Sequence, residues 1–151
     1  MKNKVQINRR EIILKGGVQL GFFIILLLVT PLLKAQNLIN GKKLYETRCL
    51  VCHQADGGGV PNMNAPLDGS SNLNGKDIAK LVKIIKYGYD ERIALDGMYY
   101  SNAMTANPDF TDQQIADVLT YIRTSWSNKA SKITLAQVKA ASSKHKISAK
   151  K

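Results

Sequence analysis

The chain contains two cysteines, Cys49 and Cys52, and the second is followed at once by His53. Two thiols three positions apart on a helical turn can each add to one vinyl group of the same porphyrin, forming two thioethers. The adjacent histidine then lies beneath the ring and ligates the iron from one side. The motif therefore predicts covalent attachment of haem c. Because the sequence holds no second Cys-x-x-Cys-His, it predicts one haem.

Three other uses of a Cys-x-x-Cys pair fit the sequence less well. A structural zinc site needs four nitrogen or sulfur ligands, and the only further candidate is His145, in a polar C-terminal segment. A thioredoxin-like redox pair needs a βαβ setting, which the surrounding pattern lacks. A small-loop disulfide in an oxidising compartment would leave His53 without a role. Haem attachment is therefore the preferred interpretation.

The N-terminus has the pattern of a secretory signal peptide. Its apolar run covers 20–33, and Ala35 followed by Gln36 offers a cleavage point, although Leu33 stands where a small residue is preferred. We predict a signal peptide at 1–35 and an exported, periplasmic protein. The alternative is an uncleaved membrane anchor, because the apolar stretch, counted generously, approaches the shortest length that spans a bilayer. The basic residues that precede the apolar run are Lys2, Lys4, Arg9, Arg10 and Lys15.

Charge is unevenly distributed along the rest of the chain. Residues 36–128 hold nine Lys/Arg and ten Asp/Glu, whereas residues 129–151 hold seven Lys and no acidic residue. No nucleic-acid-binding motif accompanies this basicity. We predict one domain at 36–128 and a lysine-rich C-terminal tail at 129–151. The tail is either a solvated extension or an electrostatic docking arm for an acidic redox partner or an anionic surface, so membrane association through either terminus stays open.

Apolar periodicity predicts helices separated by segments rich in Gly, Pro, Asn and Ser. Thr111 and Gln114 form a capping box at the start of the clearest helix, and Gly88 is a natural stop for the helix before it. Residues 90–109 are predicted to be irregular apart from a short turn. The predicted helices cover 39–50, 77–87, 112–126 and, as a weak helix, 134–146.

Together these features resemble a class I cytochrome c domain over 38–128. Gly41 and Tyr45 stand eight and four residues before Cys49, as a glycine and an aromatic do in that family. The resemblance implies a small all-α cytochrome c fold, with three main helices around one haem and with crossing N- and C-terminal helices. The residues of the last helix that match the family pattern are Val118, Tyr121 and Ile122.

The resemblance also implies that a methionine shortly before the last helix is the second axial ligand of the iron. Met104, seven residues before Thr111, matches that position. Met98 is the alternative, and Met63 follows the haem motif too closely. Thr105 stands where the family commonly has proline, which predicts a more mobile loop.

On the His53 side of the haem, the resemblance places Pro66 and Leu67. The carbonyl of Pro66 is expected to accept the second ring N–H of His53, and Leu67 is expected to pack on the haem. Trp126 is expected either near the haem edge or as the residue that closes the last helix.

With both axial positions filled by protein, iron has no open site for a substrate. The sequence also lacks a separate acid–base pair or nucleophile constellation. We therefore predict a monomeric one-electron carrier, not an enzyme, that exchanges electrons with a redox protein donor and acceptor such as a dehydrogenase, oxidase or other membrane complex. Two alternatives stay open: a cytochrome c subunit of one periplasmic dehydrogenase or oxidase complex, and a ligand-binding or peroxidase-like haem protein.

Overall fold

A computed structural model describes residues 37–148, with side chains described through residue 143. The predicted signal peptide at 1–35 and the cleavage point after Ala35 lie outside the described residues. Within 37–148, no helix combines the length and the apolar character that crossing a membrane requires.

The described residues are mostly helical, as the sequence predicts, with one short hairpin. The first helix, α1, covers 37–48 in the described part of the chain. The elements that follow it are α2 (Leu50–His53), α3 (Ser71–Asn74), α4 (Ile78–Tyr87), β1 (Ile93–Leu95), β2 (Met98–Tyr100), α5 (Asp112–Thr124) and α6 (Leu135–Ser148).

Local capping explains where α4 and α5 begin and where α4 ends. Thr111 and Gln114 form the predicted capping box at the start of α5. Asp77 caps α4, because its side chain accepts a hydrogen bond from the backbone N–H of Lys80. Gly88 ends α4 with a positive φ of 78°, which glycine adopts at little cost. Helix α5 ends at Thr124, two residues before the predicted boundary.

Helices α1 and α5 cross at Gly41. A Cβ atom at this position would lie 2.2 Å from the backbone oxygen of Asp117, so only glycine permits this approach. Tyr45, Tyr121 and Trp126 fill the crossing, with ring centroids 5.3–6.0 Å apart. The indole N–H of Trp126 donates to the backbone oxygen of Ala55 at 3.0 Å. Trp126 therefore packs beside the end of α5 and against α1.

The prediction that 90–109 is irregular is wrong for residues 93–100. Strands β1 and β2 form an antiparallel hairpin in which Leu95 pairs with Met98. The turn is Asp96-Gly97, and both residues have a positive φ, of 51° and 83°. Asp-Gly is a strong two-residue hairpin signal, because its backbone twist matches that of the flanking strands.

The described part of the lysine-rich segment is packed on the domain and is not a solvated extension. Val138 of α6 is 0% exposed, and Ile133 is buried in the same core as residues of α4 and α5. The Thr120 side chain exchanges two hydrogen bonds with the backbone of Ile133, at 3.0 and 3.2 Å. Buried Arg123 donates to the backbone oxygen of Ser131 at 3.0 Å. The weak helix predicted at 134–146 is thus a helix anchored to α5.

Candidate haem site

A cavity of about 370 Å³ opens beside α2 and extends under the hairpin. Its volume lies within the range of small-molecule and cofactor pockets. Cys49, Cys52 and His53 line it, and Met104 lines it from a separate segment. The apolar side chains that complete the wall include Leu67, Leu73, Leu81, Ile85, Leu95, Tyr100, Phe110, Val118, Leu119 and Ile122.

The two cysteines lie on one helical turn. The backbone N–H of Cys52 and the backbone N–H of His53 both donate to the oxygen of Cys49, at 3.2 and 2.9 Å. Cys49 is half-buried and Cys52 is exposed, and no disulfide joins them. Burial raises the pKa of the Cys49 thiol to about 11, outweighing the opposite effect of nearby Arg48. Within the described residues, no group of three or more His, Cys, Asp or Glu side chains could hold a metal ion.

The ring of His53 is held by a backbone carbonyl, although not the expected one. Its Nδ1 lies 2.9 Å from the backbone oxygen of Ala65. The expectation that Pro66 supplies this oxygen is therefore wrong by one residue. With Nδ1–H donating to Ala65, the other ring nitrogen keeps its lone pair for a metal. Burial lowers the pKa of His53, and the hydrogen bond to Ala65 opposes that shift.

The path of the loop explains why Ala65 rather than Pro66 faces the ring. The backbone N–H groups of Leu67 and Asp68 both donate to the oxygen of Gly57, at 2.7 and 3.0 Å. The chain therefore turns toward Gly57 immediately after Pro66, and the carbonyl of Ala65 points to His53. Pro66 and Leu67 both line the cavity. The contact of Leu67 with the haem stays a prediction.

Among the described methionines, Met104 is the one that lines the cavity. Met63 and Met98 are 49% and 44% exposed and do not line it. The backbones of Met104 and Tyr89 form an antiparallel bridge, in which each N–H donates to the oxygen of the other residue at 2.7 and 3.0 Å. This bridge holds the segment next to the end of α4.

Several residues that shape this site were not predicted from the sequence. The hairpin contributes Ile93, Leu95 and Tyr100 to the cavity wall. Buried Asn128 holds the loop on the His53 side, because its side chain donates to the oxygen of Leu67 at 2.9 Å and accepts from the N–H of Gly69 at 3.0 Å. The Asp96-Gly97 pair could have revealed the hairpin. Asn128 carries no comparable signal, since asparagine is common in loops.

The residues present fit a covalently bound haem. The wall is largely apolar, two thiols stand on one turn at its edge, and an oriented imidazole and a thioether line the same cavity. The fold and the site together define a small helical domain for attached haem. The family model described as Cytochrome c matches residues 38–126, and the chain belongs to this family. Its cofactor is haem c, and the haem iron makes it an electron-transfer protein.

Several curated proteins are similar to this domain. Cytochrome c-552 of Thermus thermophilus is 33% identical over 92 residues, which cover 59% of this chain and 70% of the relative. Cytochrome c-555 of Prosthecochloris aestuarii is 29% identical over 86 residues, covering 57% of this chain and 85% of the relative.

A third relative is the cytochrome c subunit of alcohol dehydrogenase (quinone) from Gluconacetobacter polyoxogenes. It is 37% identical over 100 residues, which cover 61% of this chain. The matched region spans only 20% of that subunit's length. The similarity therefore concerns one domain of a much longer protein.

Proposed function

We propose that this protein is a one-electron carrier of an extracytoplasmic electron-transfer chain, with His53 and Met104 as the two axial ligands of its haem iron. The observation that carries the proposal is the position of Met104, which lines the same cavity as the haem-attachment motif while Met63 and Met98 are exposed. A thioether ligand suits low-spin iron and stabilises its reduced state, which raises the potential.

When bound, the haem supplies reversible one-electron chemistry. Cys49 and Cys52 hold it covalently, which fixes its position in the cavity. The backbone oxygen of Ala65 orients His53 and strengthens it as a ligand. Apolar residues such as Leu67 and Phe110 exclude water from the cavity. With both axial positions filled by protein, no site stays open for a substrate, and the protein is not an enzyme.

The methionine assignment is tested by a pair of matched variants, Met104→Ala and Met98→Ala. Both remove one thioether, but only Met104 lines the cavity. Met104→Ala should keep the haem covalently attached, lose the methionine–iron charge-transfer band at the red end of the spectrum, bind added cyanide faster and lower the reduction potential. Met98→Ala should match the unmodified protein in all four measurements.

Loss of the charge-transfer band in Met98→Ala, with the band kept in Met104→Ala, would contradict the assignment. If the unmodified protein lacks the band and also binds added cyanide as fast as Met104→Ala does, methionine does not ligate the iron and the iron has an open site. The alternative of a ligand-binding or peroxidase-like haem protein would then be favoured.

A second candidate function is that of a cytochrome subunit bound to one dehydrogenase complex. The similarity to the cytochrome c subunit of alcohol dehydrogenase (quinone) favours this candidate. Purification from the native membrane and periplasm separates the two: a free carrier elutes at its monomer size, whereas a subunit co-purifies with its complex. The intact mass of the same sample tests export, because cleavage gives a chain that begins at Gln36 and carries one haem.

A further inference from the structure

The backbone around Met104 lies directly against the end of α4. We call residues 104–107 the Met104 segment. Gly88 is the first residue after α4, and a Cβ atom at this position would lie 2.6 Å from the backbone oxygen of Met104 and 3.0 Å from the backbone nitrogen of Ala106. Both atoms belong to the backbone, which cannot turn aside as the end of a flexible side chain can. Only glycine therefore permits the Met104 segment to approach α4 this closely.

Hydrogen bonds hold the Met104 segment in place on both sides of Gly88. After Gly88, Tyr89 forms the antiparallel bridge with Met104. Before Gly88, the backbone N–H and the side-chain amide of Asn107 both donate to the oxygen of Ile85, at 3.0 and 3.3 Å. Ile85 lies in the last turn of α4, where carbonyl groups lack partners within the helix. The segment therefore cannot yield to a side chain at residue 88 without losing some of these bonds.

The Met104 segment belongs to the wall of the haem cavity. Met104 and Asn107 line the cavity from this segment, and Ile85 and Tyr89 line it beside them. Gly88 does not line it. A side chain at residue 88 would therefore change the cavity by displacing the Met104 segment, and not by entering the cavity itself.

We propose that Gly88 is a positioning residue for the axial ligand Met104, because the absence of a side chain at residue 88 lets the Met104 backbone pack directly on the end of α4. This inference rests on the proposed ligation of the iron by Met104. A thioether raises the reduction potential only while it is bound to the iron. The contact at Gly88 therefore links a residue outside the cavity wall to the potential of the haem and to the closure of the iron against added ligands.

The test compares three variants of the haem-loaded, full-length protein. Gly88→Ala places one methyl group against the Met104 segment. Gly97→Ala is the control, because Gly97 also has a positive φ, of 83°, but its Cβ would meet nothing within 4 Å beyond its chain neighbours. Asn107→Ala removes the side-chain bond to Ile85 and adds no volume. The measurements are the methionine–iron charge-transfer band, the reduction potential, the rate of cyanide binding and the temperature of unfolding.

Gly88→Ala should keep the haem attached but weaken or lose the band, lower the potential and bind cyanide roughly tenfold faster or more. Asn107→Ala should keep the band and bind cyanide roughly threefold to tenfold faster, because one tie of the segment is lost. Gly97→Ala should keep the band and the potential and bind cyanide within about twofold of the unmodified rate. Both glycine variants should unfold at a lower temperature, because alanine is strained at a positive φ.

The inference is wrong if Gly88→Ala unfolds at a lower temperature but keeps the band, the potential and the cyanide rate, since Gly88 then serves the fold alone. It is also wrong if Gly97→Ala changes these three properties as much, which would assign the effect to the positive φ. If Gly88→Ala does not fold, an Asn107→Ala protein that binds cyanide at the unmodified rate overturns the inference.

Failure of the proposed function has a different signature. An unmodified protein that lacks the band and binds cyanide as fast as Met104→Ala refutes the ligation by Met104, and this inference with it. When the inference alone fails, the unmodified protein keeps the band.

Discussion

At the scale of single residues, Asp117 is an ionisable group that the fold buries. It lies on α5 at the crossing with α1 and is 3% exposed. The side-chain amide of Gln113 donates to its carboxylate at 2.7 Å, and Asn40 provides a further hydrogen bond. Burial nevertheless dominates and raises the pKa of Asp117 above its ordinary value of 3.8. The folded protein therefore binds this proton more tightly than the unfolded chain does.

This linkage predicts how Asp117→Asn changes stability with pH. In the unmodified protein, the stability contributed by the protonated carboxyl is fully present below pH 3.8 and is lost as pH rises through the higher folded pKa. The asparagine amide oxygen can still accept from Gln113 but carries no charge. At neutral pH the variant should therefore have a higher free energy of unfolding, measured by denaturant titration across pH.

Asp56→Asn is the control for this prediction, because Asp56 is exposed and accepts a hydrogen bond from the N–H of Gly58. Because it replaces an exposed carboxylate, it should not raise the free energy of unfolding at neutral pH. A less stable Asp117→Asn protein whose pH dependence equals that of the unmodified protein would show that the buried carboxylate is not the cause.

Single residues also show which parts of the site could be predicted from the sequence. The placement of Met104 and Leu67 along the cavity follows the family pattern of spacing. The acceptor for His53 did not follow it, because hydrogen bonds from two later residues to Gly57 decide which carbonyl of the loop turns inward. Which carbonyl turns inward depends on tertiary contacts, and the sequence of a loop rich in Gly, Pro and Asn does not specify those contacts.

At the scale of elements, capping motifs made helix boundaries predictable. The Thr111/Gln114 box marks the start of α5, and Thr134 with Gln137 repeats the same arrangement at the start of α6. The second box was not predicted, although its sequence pattern is the same. The hairpin was not predicted because its strands have three residues each, too short to show an alternation of apolar and polar residues.

The crossing of α1 and α5 is the element contact most sensitive to substitution. In Gly41→Ala, the new Cβ would overlap the backbone oxygen of Asp117 and lie 2.8 Å from the Cβ of Tyr121. The helices would have to move apart and disturb the aromatic cluster. We expect the free energy of unfolding to fall by about 3 kcal/mol, the upper end for overpacking. Denaturant unfolding followed by far-UV circular dichroism measures this change.

The matched control is Lys43→Ala on the same helix, since Lys43 is exposed and alanine favours helix. Its stability should stay within about 0.5 kcal/mol of the unmodified protein. Equal stability of the two variants would mean that α1 and α5 do not cross as closely as the structure places them.

At the scale of the whole molecule, the C-terminal segment is rich in lysine and also packs against the core. Its lysines suggested a solvated extension, whereas its apolar residues at helical spacing, Leu135, Val138 and Ala141, indicated a packed face. The structure buries Val138 and half-buries the other two. The lysine content of this segment therefore predicted its structure wrongly, whereas the spacing of its apolar residues indicated the packed face. The two can coexist because a charged helix can still bury a narrow apolar stripe.

Removal of this segment tests its contribution to the fold. A chain ending at Asn128 loses the buried side chains of Ile133 and Val138 and exposes the surfaces of α4 and α5 that they cover. At about 1.5–3 kcal/mol for each buried aliphatic side chain, we expect the free energy of unfolding to fall by about 3–6 kcal/mol. The haem should stay attached, because the proposed attachment and ligand residues precede residue 129.

A second variant separates this loss of packing from the loss of charge. Lys129→Gln/Lys132→Gln/Lys139→Gln removes three exposed charges and keeps the residues that pack. Its stability should stay within about 0.5 kcal/mol for each substitution, because exposed side chains away from the packed face contribute little. Thermal unfolding followed at the haem absorbance compares the two proteins. If the truncated chain unfolds at the same temperature as the full chain, α6 contributes nothing to stability, and the packing of Val138 against the core is wrong.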